Sequence, residues 1–306
     1  MGARRAMVAM TVAGTLALGA ATAGAAEKEP TGPWQPDILT AALYSMAAPT
    51  IAPPGANDWN CRPSPQHPNP VLLSNSTTAN AYEDWANLSL QLANAGYCVF
   101  AGNFGGTPGS PLQTLGPIAT TAKQMAAYGD RILAATGAAK LDVVGHSQGG
   151  MNVRYWIKYL GGDSKIGKVV GLSPSNYGTD LYGLVNALKS LPPAKDLTLP
   201  GCASCTEQEV GSAFLNDLNA GGDTVPGVSY TVLQTKYDDV VTPYTNAFLK
   251  PAPNVKNIVL QDVCPLDLTD HIGISYDPIA ARLVLNALDP STAKTPFCVP
   301  VPPIVG

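Results

Sequence analysis

The stretch LDVVGHSQGG, residues 141–150, joins an apolar run to a segment with helical periodicity. Its first half suits a buried parallel strand. The segment after it is predicted to be a helix with these residues on its inward face: Met151, Tyr155, Trp156 and Tyr159. The chain is therefore predicted to turn sharply from a strand into a helix at Ser147.

Gly145 and Gly149 stand two residues before and two residues after Ser147. Glycines at these positions let the strand and the helix approach closely around a strained serine, whose hydroxyl is left exposed at the turn. The Gly-x-Ser-x-Gly match alone is a weak signal in a chain rich in small residues, and the alternative is a glycine-rich turn without a catalytic serine. The strand before it and the helix after it favour a nucleophilic serine.

A serine hydroxyl becomes a good nucleophile when a base takes its proton and a third group orients that base. The chain has three histidines, His67, His146 and His271. His146 adjoins Ser147 on a turn where neighbouring side chains diverge, and His67 lies among prolines. His271 follows the apolar run 257–260 and is therefore the predicted base; the alternative is a histidine in a surface loop.

The predicted acid is one of two adjacent aspartates, Asp238 and Asp239, which follow the alternating strand 228–233. A carboxylate at a strand end, between nucleophile and base in the chain, fits the order serine, acid, histidine. One of the two is expected to be a solvated loop charge. We favour Asp238 as the acid.

Strands and helices are predicted to alternate along most of the chain. A strand at 70–73, a helix ending at Gly96 and a strand at 97–101 favour a parallel sheet with a right-handed crossover. The predicted fold class is α/β, with a mostly parallel central sheet and helices on both faces. Further elements are predicted at 118–135 (helix), 168–172 (strand) and 279–288 (helix).

The region 180–226 interrupts this alternation. It contains the amphipathic segment 181–191 and the Cys-Ala-Ser-Cys loop at 202–205. Both a cap over the site and a peripheral insertion of helices are consistent with the sequence.

Residues 1–26 have the features of a secretory signal peptide: an arginine pair, an uncharged run and a small-residue end. A membrane anchor is the weaker alternative because the run is rich in Ala, Gly and Thr. The arginine pair leaves the twin-arginine route open. We expect a secreted protein with a single domain over residues 27–306.

The six cysteines of such an exported chain predict three disulfides, for which fifteen pairings exist. Cys202 and Cys205 are spaced to close a local loop, and a bridge from Cys264 to Cys298 would tether the C-terminal tail. A zinc site at 202–205 is disfavoured because no second ligand pair lies nearby.

Charged residues make up 13% of the chain and the formal net charge is −4. No Lys/Arg cluster follows residue 26, so the chain has no basic patch that would attract nucleic acid or an anionic membrane. We expect no nucleic-acid partner, no integral membrane association and a monomer.

With these residues placed, the chain resembles the secreted bacterial class 2 lipases of the α/β-hydrolase superfamily and, more distantly, a yeast lipase. The resemblance runs over most of residues 61–298. It rests on Cys61 and on the segments HPNPVLL (67–73), GYCVF (96–100), GHSQGG (145–150), DDVVTP (238–243) and DH (270–271).

The resemblance implies an α/β-hydrolase fold and a carboxylic ester hydrolase that uses no metal and no cofactor. It assigns Ser147 as nucleophile, Asp238 as acid and His271 as base. It also implies two of the disulfides, Cys61–Cys98 and Cys264–Cys298.

In this fold two donors hold the oxyanion: the backbone N–H after the nucleophile, here Gln148, and a group after an early strand. By position the second donor is Thr77, through its N–H and, as in the resembling yeast lipase, its hydroxyl. Where these lipases have His-Gly-Thr or Pro-Gly-Thr, this chain has Asn75-Ser76-Thr77. The lost glycine leaves three outcomes open: altered substrate preference, lower activity or no effect.

The sequence thus predicts a secreted serine esterase that acts on a small-molecule or lipid ester through an acyl-enzyme. The resemblance favours triacylglycerol lipase, with a polyester-degrading or short-chain esterase as the alternative. A non-catalytic hydrolase-fold binding protein is the competing class, and an intact serine, acid and base argue against it. A serine peptidase is equally disfavoured.

Overall fold

The computed structural model describes Gly2, residues 28–180 and residues 201–306. The rest of the predicted signal peptide and the amphipathic segment 181–191 lie outside the described residues. No described helix is long and apolar enough to cross a membrane.

Six parallel strands form one sheet. They are β1 (Val71–Ser74), β2 (Val99–Ala101), β3 (Leu141–His146), β4 (Ile166–Leu172), β5 (Ser229–Gln234) and β6 (Val255–Val259). Their order is β2-β1-β3-β4-β5-β6, and every neighbouring pair is parallel. The chain therefore leaves β1 toward one edge and returns on its other side at β3. Ligands bind at such a switch point, beyond the carboxyl ends of the strands.

The described α-helices cover both faces of this sheet. They are α1 (Ile38–Ala47), α2 (Ala81–Trp85), α3 (Leu88–Asn94), α4 (Ile118–Thr136), α5 (Gln148–Tyr159), α6 (Ala203–Glu207), α7 (Ala213–Asn219), α8 (Leu260–Val263) and α9 (Pro278–Leu288). Successive strand residues point to opposite faces. Leu73 of β1 accordingly packs in one cluster with Ile279 of α9, and Leu72 in a second with Met125 of α4. The predicted parallel α/β architecture is confirmed.

Two local predictions were wrong. The helix expected before Gly96 is two short helices, α2 and α3, and the chain then takes a left-handed backbone at Gly96, with φ of 92°. Tyr159 does not face inward: its side chain is 40% exposed, and its hydroxyl donates to Asp217 of α7. A polar partner at the surface thus decides the orientation of this ring.

Three disulfides join the six cysteines. Cys61–Cys98 ties the N-terminal arm to the start of β2, Cys202–Cys205 closes a local loop, and Cys264–Cys298 holds the C-terminal tail to the end of α8. Within the described ranges no cluster of three or more His, Cys, Asp or Glu residues is arranged to hold a metal.

Candidate active site

Ser147 lies between β3 and α5 in a strained backbone conformation, with φ of 52°. A left-handed φ is unfavourable for a residue with a side chain and marks functional turns. The flanking glycines explain how this turn packs. A Cβ on Gly149 would lie 2.1 Å from the carbonyl oxygen of Ser74, and one on Gly145 would lie 2.5 Å from the backbone of Gly149. Only glycine allows the helix start to approach β1 this closely.

Asp238, which follows β5, and His271, which follows β6, form a buried pair. The Nδ1 atom of His271 lies 2.9 Å from Oδ2 of Asp238. The other carboxylate oxygen accepts the N–H groups of Val240 and Val241 at 3.0 and 2.7 Å. Asp239, by contrast, is exposed. The structure thus brings Asp238, and not its neighbour, to the histidine.

The carboxylate of Asp238 is held in its ionised form. Burial acts to raise its pKa, but the charge and hydrogen bond of His271 and the two backbone N–H groups together lower it below the ordinary value. Gln234 adds a hydrogen bond of 3.0 Å to Oδ2. An ionised Asp238 fixes the proton of His271 on Nδ1 and leaves Nε2 as the basic nitrogen.

Ser147 and His271 line the same cavity, which has a volume of about 400 Å³. Its walls are largely apolar. They come from helix α1, from the chain after Asp238, from the residue after His271 and from the part of region 180–226 that follows residue 200. The apolar lining residues include Ile38, Leu39, Ala42, Val240, Val241 and Ile272.

Thr77 and Gln148 face each other beside Ser147. The Thr77 hydroxyl donates to Oε1 of Gln148 at 2.8 Å and accepts from Nε2 of Gln208 at 2.9 Å. Its proton is therefore already used. Among the described residues, neither the N–H of Thr77 nor that of Gln148 has an acceptor. The Gln148 N–H also opens helix α5, where backbone donors attract negative charge. Both backbone N–H groups are therefore available to a ligand in the cavity.

Asn75 and Ser76, which differ from the residues usual in the resembling lipases, make buried hydrogen bonds. We call residues 75–78, which carry the predicted oxyanion donor Thr77, the oxyanion loop. Asn75 accepts from the indole of Trp85 at 3.2 Å and donates to a backbone carbonyl. The N–H and hydroxyl of Ser76 donate to the carboxylate of Asp84 at 2.5 and 3.2 Å. Ser76 does not have a positive φ, so the backbone does not require glycine at this position.

Sequence reasoning missed several residues around the cavity. His146 does diverge from Ser147, but its ring is buried against Asp84. Glu83 lines the cavity, where burial and then the charge of Asp84 raise its pKa to about 7. Gln208 reaches the site from the region 180–226. No periodic pattern signals these residues, because each depends on a partner far away in the chain.

Known proteins share this architecture. The family described as Lipase (class 2) matches residues 68–271, about two thirds of the chain. Triacylglycerol lipases of Pseudarthrobacter phenanthrenivorans and Burkholderia plantarii are each 36% identical over 84 residues, which are 28% of this chain. The alignments span only 25% and 22% of those two relatives.

Two solved structures have a similar fold. Aspergillus fumigatus lipase B has a TM-score of 0.60 at 19% identity, over 86% of this chain and 63% of that one. The mature form of Bacillus licheniformis lipase BlEst2 has a TM-score of 0.55 at 16% identity, over 74% of this chain and 94% of that one. With the parallel sheet, these similarities show the α/β-hydrolase fold.

Proposed function

Because the chain belongs to the class 2 lipase family, we propose that it is a serine ester hydrolase with Ser147 as nucleophile, His271 as base and Asp238 as acid. One observation carries this assignment. The only histidine hydrogen-bonded to Asp238 among the described residues lies in the same apolar cavity as a serine held at a strained strand-to-helix turn.

The reaction follows from this geometry. The Ser147 hydroxyl attacks the ester carbonyl while Nε2 of His271 takes its proton, then delivers that proton to the leaving alcohol. Asp238 keeps the ring in the required tautomer and stabilises the charge that the ring acquires. Water, activated by His271, then hydrolyses the acyl-enzyme.

The tetrahedral intermediate carries a negative oxygen that must be held by fixed donors. The N–H groups of Thr77 and Gln148 meet this need because both lack an acceptor among the described residues. The Thr77 hydroxyl serves instead to join the oxyanion loop to Gln148 and Gln208.

The substrate we propose is a lipid ester, with triacylglycerol favoured over polyesters and short-chain esters. The apolar walls of the cavity suit an acyl chain. The two curated relatives named triacylglycerol lipase support this choice over the stretch that they share. We also propose that the protein acts outside the cell as a monomer; three disulfides support an oxidising location.

A chain-length series of p-nitrophenyl esters, from acetate to palmitate, tests the proposal. We expect kcat/KM to be higher for medium or long chains than for acetate, and Ser147→Ala to lose at least about 10⁴-fold in kcat. Ser164→Ala is the matched control, since this serine is exposed and does not line the cavity. Equal rates for Ser147→Ala and wild type would refute the serine mechanism, and the highest rate on acetate would refute the lipid substrate.

A further inference from the structure

His146 has an acceptor at each of its two ring nitrogens. Nδ1 lies 3.1 Å from Oδ1 of Asp84, and Nε2 lies 2.9 Å from the backbone carbonyl oxygen of His271. A carbonyl oxygen only accepts, so Nε2 must carry a proton. An ionised carboxylate also only accepts, so beside an ionised Asp84 Nδ1 carries one as well. With both nitrogens protonated, the ring is an imidazolium.

The Asp84 carboxylate is the matching anion. It has no exposed surface, and three donors face its two oxygens: the His146 ring, the Ser76 N–H and the Ser76 hydroxyl. With neither oxygen protonated, the carboxylate accepts all three. A buried ion pair is maintained when its geometry is good and its remaining hydrogen-bonding positions are filled, and both conditions hold here.

The surroundings of His146 agree with this assignment. Burial acts to lower its pKa, but the charge and hydrogen bond of Asp84, the carbonyl of His271 and the charge of Asp238 raise it above the ordinary value. Glu83 is the further ionisable group that interacts with this ring, from helix α2. The His271 ring is its neighbour, with centroids 5.2 Å apart.

This ion pair connects two parts of the proposed active site. On one side Asp84 holds Ser76, which directly precedes the donor Thr77. On the other side the His146 ring holds the backbone of His271 itself. We call residues 269–272 the base loop. The oxyanion loop and the base loop are 193 residues apart in the chain when measured from Ser76 to Thr269, yet one imidazolium joins them.

We propose that His146 is a positioning residue: a buried imidazolium that aligns the oxyanion loop, through Asp84, with the base loop, through the His271 carbonyl. The inference rests on the proposed function, because it concerns the same reaction. His146 does not touch the reacting atoms in this role. It sets the distance between the oxyanion donors and the base, and a misplacement of about 1 Å in such a site costs about 10²-fold in rate.

The protonation state is tested directly by NMR of protein labelled with ¹⁵N-histidine, whose three histidines give a simple spectrum. At pH 8 an unperturbed histidine, with a pKa of about 6.5, is almost fully neutral. We expect His146 to keep both ring protons at pH 8. His67→Phe and His146→Phe assign the signals. A neutral His146 ring at pH 8 in the wild-type protein overturns the inference.

Asp84→Asn provides the conservative variant. Its amide oxygen can accept the Ser76 N–H while its NH₂ donates to Nδ1 of a neutral His146, whose Nε2–H still reaches the His271 carbonyl. We expect the second ring proton at pH 8 to disappear and kcat to fall less than tenfold. Retention of both ring protons in Asp84→Asn would show that Asp84 is not the counter-ion.

Adding His146→Phe to Asp84→Asn removes both ring hydrogen bonds without leaving a buried charge. Relative to Asp84→Asn, we expect kcat to fall a further 10- to 100-fold with KM within about twofold, because alignment and not binding is lost. His67→Phe is the control, since that ring stacks on Tyr97 away from the cavity. A kcat within twofold of Asp84→Asn would overturn the positioning role. The NMR measurement needs no ester hydrolysis, so failure of the proposed function and failure of this inference give different results.

Discussion

Replacing Asp277 by Asn should remove a large pH dependence of stability. Asp277 is fully buried before helix α9, where Oδ1 accepts the N–H groups of Ile279 and Ala280 at 2.6 and 3.0 Å. Burial and then the charge of Asp267 raise its pKa to about 7. The Oδ2 atoms of Asp277 and Asp267 are both buried, and neither has a hydrogen-bond donor among the described residues. A proton shared between the two carboxyl groups accounts for both atoms.

The magnitude follows from the shift. The pKa of Asp277 rises from 3.8 to about 7, which is about 3 units, and each unit corresponds to about 1.4 kcal/mol. Between about pH 4 and pH 7 the unfolded chain has lost this proton while the folded protein retains it. The free energy of unfolding therefore falls as pH rises across this window, by up to about 4 kcal/mol, and the loss is complete above pH 7.

Asp277→Asn keeps the capping oxygen and places an N–H donor where the shared proton lies. We expect its Tm to be similar to that of wild type at pH 5 and higher at pH 8, by up to about 8 °C at roughly 2 °C per kcal/mol. Calorimetry or thermal circular dichroism at both pH values measures this. Asp289→Asn is the control, because hydrogen bonds from Ser291 and Thr292 lower the pKa of Asp289 to about 2, outside this window. An identical wild-type-to-variant difference at pH 5 and pH 8 would refute the shared proton.

Four further predictions concern the site and the disulfides. Asp238→Asn should lower kcat by about 10³–10⁴-fold and Asp239→Asn by less than about threefold, in p-nitrophenyl ester assays; the reverse order would reassign the acid. Thr77→Val should lower kcat by less than about tenfold, since the hydroxyl donates to Gln148; a fall of about 10²–10³ would mean that the hydroxyl holds the oxyanion. In the wild-type protein kcat/KM should decline above pH 7, because the pKa of the Glu83 carboxyl is about 7 and its negative charge opposes a negative intermediate. Glu83→Gln should abolish this decline. The same pH profile in the variant and the wild type would show that Glu83 does not cause it. Thiol titration of denatured protein should find no free thiol, and each long-loop disulfide should contribute on the order of 2–4 kcal/mol; two reactive thiols would contradict the pairing.

The sequence alone indicated where the backbone needs glycine and where it forms buried strands. The turn at Ser147 needs glycine on both sides because any side chain there collides with the neighbouring backbone. The strands are apolar because both faces of a parallel sheet are buried. Chain order then placed an aspartate and a histidine after later strands, and the carboxyl ends of parallel strands meet at one edge. These signals act over a few residues or follow from topology, so sequence alone predicted the parallel sheet, and it proposed the same serine, aspartate and histidine that the structure brings to one edge.

Tertiary structure alone decided the features that depend on burial and distant partners. The sequence predicted only that His146 points away from Ser147, because its partner Asp84 lies 62 residues away in the chain. The absence of glycine at Ser76 left its effect open in the sequence, and in the folded protein Ser76 donates two hydrogen bonds to the same Asp84. The charge state of a side chain depends on its desolvation and on the donors that surround it. Neither quantity exists until the chain has folded, and for this reason no pattern in the sequence could predict them.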